Sequence, residues 1–60
     1  MTKIEKLRRA QCLSVEELAR KADLSATTVW RIETGRVATP HAKVLRQLAE
    51  ALGVPHKELR

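Results

Sequence analysis

Sixty residues with a single aromatic side chain, Trp30, provide for one small core and argue against a β-sandwich or barrel, in which aromatic and β-branched residues predominate. One cysteine, Cys12, excludes an intramolecular disulfide and a thiolate-rich zinc site, and is typical of a reducing compartment. The net charge of +5 is concentrated in residues 1–13 and 25–46, which favours a polyanionic partner, although a solvated basic surface carries the same charges.

Helix signals run along the whole chain, and the first two helices begin with matching caps. Thr2 with Glu5, and Ser14 with Glu17, have the spacing of a capping box, in which a hydroxyl and a carboxylate each bond a backbone N–H. Apolar residues recur at helical spacing after each cap. The pattern predicts helices over about residues 2–11 and 15–22.

A short break at residues 23–25 separates the second helix from the third. Serine favours turns and caps because its side chain bonds nearby backbone groups, so Ser25 is predicted to cap a helix over about 26–34. Gly35 stands where a left-handed residue would end it. The β-branched residues of this helix weaken its intrinsic stability, so it should need tertiary support.

A fourth helix is predicted over about residues 40–52. Thr39 and Pro40 have the pattern of a cap followed by proline at the first helical position, and Gly53 is the expected end. A last short turn carries Leu59. We expect one all-helical domain over residues 1–60.

The second helix, the three-residue turn and the third helix share one apolar face. Its inward positions are Leu18, Ala19, Leu24, Val29 and Ile32. Two helices that cross steeply through so short a turn form a helix-turn-helix, here over residues 15–34, whose second helix can enter a major groove. An ordinary helical bundle can use the same pattern.

Residues across positions 4–59 match a known family in register and without a gap. They are Leu13-Ser14-Val15-Glu16-Glu17-Leu18-Ala19, Ala22, Leu24-Ser25, Thr28-Val29, Arg31-Ile32-Glu33, Gly35, Pro40, Leu45, Leu48-Ala49, Ala51-Leu52-Gly53-Val54 and Glu58-Leu59. In these residues the chain resembles the bacterial and phage repressors with a Cro/C1-type (XRE family) helix-turn-helix. The resemblance implies a compact five-helix bundle of the lambda-repressor-like type that binds operator DNA.

The resemblance also implies that the outer face of the third helix, about residues 25–34, contacts base edges. The corresponding residues are Ala26, Thr27, Trp30 and Arg31, and their i,i+4 spacing opposite the apolar face agrees. Arg31 can bond guanine through two N–H groups, or else bond phosphate or Glu33. Trp30 can pack against thymine methyls or sugars, against the loop at 35–39, or in a dimer contact.

Phosphate contacts are expected from the backbone N–H groups at the starts of helices two and three. Four side chains are expected to join them, although each can equally be only solvated: Ser25, Thr34, Arg36 and Lys43. Arg8 and Glu33 match family positions that form an ion pair joining helix one to helix three. The alternative is that both lie on the surface.

Three residues depart from the family's pattern. Val15 stands where a phosphate-bonding polar residue is common, and Ala26 where a long polar base reader is common. His56 replaces a commonly apolar residue in the last turn. The first two changes remove polar groups that would otherwise contact DNA.

Features of enzymes and metal sites are missing from the sequence. It has no credible nucleophile–base pair, no phosphate-binding glycine loop and no paired carboxylates in an apolar setting. Cys12, His41 and His56 fit no ligand set, so neither a metal nor another cofactor is expected. Redox sensing by Cys12 is disfavoured, because no pattern of basic neighbours distinguishes it from a buried structural thiol.

The predicted function is a double-stranded DNA-binding transcriptional regulator, a repressor, that acts as a homodimer on two half-sites about one helical turn apart. No apolar run reaches the roughly 18 residues of a membrane span, and no signal-peptide core follows Met1. We therefore expect a cytoplasmic protein with no membrane partner and no small-molecule substrate. The alternatives are an antitoxin-type DNA-binding module acting with a toxin, and a protein-interaction scaffold of the same fold.

Overall fold

The computed structural model describes residues 2–37 and 41–59, and its regular structure there is entirely helical. The elements are the α-helices α1 (Lys3–Ala10), α2 (Val15–Ala22), α3 (Ala26–Glu33) and α4 (Ala42–Leu52), followed by a 3-10 helix (His56–Leu59). The all-helical prediction is confirmed. Within these ranges no helix has the length and apolar character needed to cross a bilayer.

The five-helix bundle that the resemblance implies is corrected to four α-helices in the described residues, because the fifth element is one turn of 3-10 helix. Gly53 takes a left-handed conformation with φ of 73° and ends α4. Pro55 then starts the last turn, in which the Glu58 N–H donates to the Pro55 carbonyl at 2.9 Å. An i→i+3 bond closes the tighter 3-10 turn, which proteins use in short pieces of this size.

Side-chain caps start α1 and α2, as predicted. At Ser14 the capping box is complete: the Ser14 N–H donates to the Glu17 carboxylate at 2.9 Å, and the Glu17 N–H donates to Ser14 Oγ at 3.0 Å. At Thr2 one half is present, since Thr2 Oγ1 accepts from the Glu5 N–H at 3.1 Å. The Glu5 carboxylate pairs with Arg9 one turn later, at 2.9 Å.

Hydrogen bonds stabilise the turn between α2 and α3 at both of its ends. Asp23 is left-handed with φ of 59°, and the Leu24 N–H donates to the Ala19 carbonyl at 2.8 Å. Ser25 Oγ accepts from the Thr28 N–H at 3.1 Å, which confirms Ser25 as the cap of α3. These bonds satisfy backbone groups that helix ends otherwise leave unpaired.

Helix α4 begins two residues later than predicted. Its N-cap is His41, whose ψ of 148° is extended and so excludes it from the helix, and whose side chain makes no capping bond. The first helical bond runs from the Leu45 N–H to the His41 carbonyl at 3.0 Å. The predicted cap Thr39 and first residue Pro40 lie outside the described residues.

The core forms where α2 packs against both α3 and α4. Leu18, Val29 and Leu48 are fully buried at its centre. The other buried apolar residues are Ile4, Ala19, Ala22, Ile32, Ala49, Leu52 and Leu59. Leu24 and Leu45, both predicted to face inward, are partly buried and pack at the edge of this core. Through this packing the inner face of α3 is held against α2.

Candidate nucleic-acid interface

The four residues predicted to contact bases differ in exposure. Thr27 and Arg31 are exposed on the outer face of α3, and the Trp30 residue is 47% exposed. Ala26, the first residue of the helix, is partly buried and packs against the edge of the core. The side chains of Thr27, Trp30 and Arg31 are therefore exposed at the surface, whereas Ala26 is partly covered by the core.

An open pocket of about 340 Å³ lies where the starts of α2 and α3 meet. Ala26, Thr27 and Trp30 line it from α3, and Val15 and Glu16 line it from α2. Arg31 does not line this pocket. The structure thus brings three of the four predicted residues together, and adds two from the preceding helix.

Trp30 is in contact with the segment that follows α3. The guanidinium carbon of Arg36 lies 5.2 Å from the centre of the Trp30 ring, within the range of a cation–π interaction. Of the alternatives for Trp30, packing against the loop that begins at residue 35 is therefore present in the structure. Through the same contact Arg36, a predicted phosphate ligand, lies beside Trp30 of α3.

The other predicted phosphate ligands have different surroundings. Ser25 Oγ caps α3 and lies 2.7 Å from Thr28 Oγ1, and the Thr34 hydroxyl donates to the Trp30 carbonyl at 2.9 Å. Lys43 is exposed in the first turn of α4. Ser25 and Thr34 thus already form bonds within α3, whereas Lys43 is directed to solvent.

Arg8 joins α1 to the last turn of α3 through Glu33. Arg8 Nε donates to Glu33 Oε2 at 2.7 Å, and Nη2 donates to Oε1 at 3.0 Å. Nη1 donates to the Leu13 carbonyl at 2.8 Å. The hydrogen bond to Glu33 raises the pKa of Arg8, against the opposing effect of burial. Glu33 is therefore neutralised within the fold, as the family resemblance implied.

The sequence model of a family described as "Helix-turn-helix domain" matches residues 2–60. The chain belongs to the helix-turn-helix domain family. Helices α2 and α3 cover the residues for which the sequence predicts the motif. The resemblance to Cro/C1-type (XRE-like) regulators is confirmed.

Two proteins of Bacillus subtilis (strain 168) are similar to this helix-turn-helix chain. "HTH-type transcriptional repressor RghR" is 38% identical over 53 residues, which are 88% of this chain and 39% of that protein. "Uncharacterized HTH-type transcriptional regulator RghRB" is 38% identical over 56 residues, which are 93% of this chain and 40% of that protein. The chain spans about two fifths of the length of these curated relatives.

Sequence reasoning missed two walls of the pocket in the helix-turn-helix. In the sequence, Val15 is only a departure from the family's pattern and Glu16 only one of the residues that match it. A signal was present, since the complete capping box at Ser14 makes Val15 the first residue of α2. Periodicity within α2 cannot show that this end of the helix lies beside Trp30, because that depends on how α2 crosses α3.

Cys12 is exposed rather than buried, and its φ of 58° places it in the left-handed region after α1. No group of three or more His, Cys, Asp and Glu side chains among residues 2–37 and 41–59 is arranged to hold a metal ion. The geometry that remains at this surface is a helix with an open outer face, an apolar pocket at its start and basic side chains near its end.

Proposed function

We propose that this helix-turn-helix domain binds double-stranded DNA with α3 in the major groove, as part of a transcriptional regulator. The observation that carries the proposal is the division of α3 into an inner face that is buried against α2 and an outer face that is open. An α-helix fits the major groove of B-DNA, which is about 12 Å wide. The similarity to two proteins named as transcriptional regulators supports it.

Base recognition is assigned to the outer face of α3. Arg31 is the proposed direct reader, because a guanidinium can donate two hydrogen bonds to guanine O6 and N7. Thr27 can bond a base or a phosphate, and Trp30 offers an apolar surface. Ala26 offers only a methyl group. This small set of readers supports a sequence preference that needs more than one copy of the domain for high affinity.

Phosphate contacts are assigned to the rim of the same surface. The N–H groups at the starts of α2 and α3 that are not bonded to the Ser14 and Ser25 caps favour an anion. Arg36, which follows α3, and Lys43, in the first turn of α4, supply positive charge. Ser25 can donate its hydroxyl to a phosphate when Thr28 is the donor in the bond that they share, and Thr34 can do so by giving up its bond to the Trp30 carbonyl. Because Arg8 neutralises Glu33, the charge near the end of α3 is positive.

The regulator is proposed to act as a homodimer on two half-sites about 34 Å apart, one turn of DNA, and to repress by occupying a promoter. Repression follows the printed name of one relative, the repressor RghR. A dimer would double the number of base contacts. In this proposal the domain binds and does not catalyse.

The direct test is a fluorescence-anisotropy titration of mixed-sequence duplex DNA at several salt concentrations. We expect log K to fall linearly with log salt, with a slope of about −0.9 for each phosphate neutralised. Absence of binding at low salt would contradict DNA binding and favour a protein-interaction scaffold.

A matched pair of variants tests the division of roles. Arg31→Ala should cost about 1–3 kcal/mol on a selected duplex and relax the preference at one base pair, whereas Lys43→Ala should weaken all duplexes alike. An equal loss on selected and random duplexes for Arg31→Ala would contradict its role as a base reader. Circular dichroism of both variants controls for folding.

A further inference from the structure

We infer that the pocket at the start of α3 receives the C5-methyl group of a pyrimidine in the major groove. The proposal rests on the proposed function, and it names the chemical group that this part of the surface selects. Val15, Ala26 and Trp30 provide apolar walls. Thymine carries this methyl group naturally, and 5-methylcytosine carries the same group at the same position.

The first argument is the exposure of Trp30. Among residues 2–37 and 41–59 the large hydrophobic side chains that remain exposed are Trp30 and Val37, and Trp30 alone of the two lines this pocket. Val15 and Ala26 beside it are partly buried. A methyl group that enters between them loses contact with water and gains packing on several sides, which is favourable.

Two of the pocket walls are purely apolar. Neither Val15 nor Ala26 can donate or accept a hydrogen bond through its side chain, so these two walls offer a base only apolar contact. A phosphate is disfavoured as the occupant, because Glu16, an acidic residue, also lines the pocket. The thymine methyl is the apolar group that the major groove presents, and it is the group that matches these walls.

The Trp30 wall is contacted by a neighbouring side chain. The guanidinium carbon of Arg36 lies 5.2 Å from the centre of the indole ring. The indole is therefore supported from the side of the following loop, before any ligand binds. A positioned wall loses less side-chain freedom when a methyl group packs against it.

Glu16 distinguishes the two sources of the methyl group. A carboxylate can accept a hydrogen bond from the N4 amino group of cytosine, whereas thymine presents an O4 acceptor at the equivalent position. Thymine is matched by the apolar walls alone, and 5-methylcytosine by the walls together with Glu16. The duplexes used in the test therefore include both bases.

The experiment begins with selection of preferred duplexes from a random pool. Each thymine of the selected site is then replaced singly by uracil, which removes only the C5-methyl group. At one position in each half-site we expect binding to weaken about fourfold, the factor that corresponds to burial of one methyl-sized group. In a second series cytosine at that position is compared with 5-methylcytosine. A gain of similar size on methylation is expected, because the two bases share the N4 amino group that Glu16 can bond and differ only in the methyl group.

Variants then connect the methyl effect to the pocket. Trp30→Ala should bind thymine and uracil duplexes with equal affinity, and Val15→Ala should reduce the ratio in the same direction. Val37→Ala is the matched control, because Val37 is an exposed apolar residue outside this pocket, and it should retain the full ratio. The ratio is informative because a general loss of structure lowers affinity for both duplexes alike.

The outcomes separate the two proposals. Binding without any methyl dependence, for either base, would overturn the pocket assignment and leave DNA binding intact. A thymine–uracil ratio that persists in both Trp30→Ala and Val15→Ala would also overturn it. Absence of all duplex binding by the unsubstituted protein would overturn the proposed function and the pocket together.

Discussion

The inner face of α3 lies in the core, where Val29 and Ile32 are buried, whereas the outer face of the same helix is open to solvent. Thr27 and Arg31 are exposed there, and Trp30 is only half covered. Both faces belong to the same eight residues, because residues three or four positions apart share one face of a helix. Packing therefore restricts one set of positions and leaves the other set available for binding.

The difference shows how a short and intrinsically weak helix can present a binding surface. Four of the eight residues of α3 are β-branched, which disfavours an isolated helix. The stability of α3 comes from groups that are not on its outer face. They are the cap at Ser25, the core contacts of Val29 and the Arg8–Glu33 ion pair. Changes on the inner face should alter folding, and changes on the outer face should alter binding.

The largest expected effect is in the core that the inner face of α3 contacts. Leu18 of α2 is fully buried there. Leu18→Ala should lower the free energy of unfolding by about 2–5 kcal/mol, because it removes buried methyl groups and leaves a cavity. Urea denaturation followed by circular dichroism measures it. Arg31→Ala on the outer face is the control and should change stability by no more than about 0.5 kcal/mol. Similar losses for the two variants would contradict the distinction between the faces.

The next effect is expected at the ion pair that joins α1 to α3. Glu33→Gln should destabilise the fold by about 1–3 kcal/mol, because the largely buried guanidinium of Arg8 then loses its charged partner. Replacing both residues by apolar ones, as in Arg8→Met with Glu33→Leu, should recover much of the loss. A double variant less stable than Glu33→Gln would contradict this expectation. It would show that the ion pair adds net stability and does not only position α1 against α3.

A smaller effect is expected at Ser25, where the two faces meet. Ser25→Ala should cost about 1 kcal/mol of stability through loss of the cap. Ser25→Asp keeps a capping oxygen and should preserve stability, but it should weaken DNA binding because it places a negative charge at the proposed phosphate contact. Thermal unfolding and anisotropy titration measure the two effects separately. Unchanged DNA affinity in Ser25→Asp would remove Ser25 from the phosphate contacts.

The smallest effect concerns pH and the cap of α2. The Ser14 N–H, and then the Ser14 hydroxyl, lower the pKa of Glu17 below its ordinary value of 4.5. Because the folded-state pKa is the lower one, this stabilisation is present above pH 4.5 and is lost as the pH falls through the folded pKa. Unfolding measured across this acidic range should show a small loss that Glu17→Gln lacks. An identical pH profile in the variant would contradict the linkage.

Local features of the chain were predictable because they depend on neighbours in sequence. The caps Ser14 and Ser25 and the bounds of α2 follow from hydrogen bonds over three or four residues, and the structure has them as expected. Helix α4 begins two residues later than the sequence predicts, and the fifth helix that the resemblance implies is a single turn of 3-10 helix. Both errors fall near prolines, where local signals for a helix start and for a turn are similar.

The candidate interface was predictable only in part. The outer positions Thr27, Trp30 and Arg31 follow from the period of a helix whose inner face is apolar, and they are exposed. The half-burial of Ala26 and the pocket that it shares with Val15 do not follow from that period. They arise where two helices cross, and the crossing depends on side-chain packing between elements.

The sequence by itself determined that this chain is helical, where its helices are capped, which stripe of each is apolar and where its positive charge is concentrated. These properties are set by bonds and spacings within one turn of helix. Tertiary packing decided which exposed groups become neighbours: Arg36 over Trp30, Arg8 on Glu33, and Val15 beside Ala26. Such contacts depend on the angle and distance between helices, which the burial of the shared core sets for all of them at once.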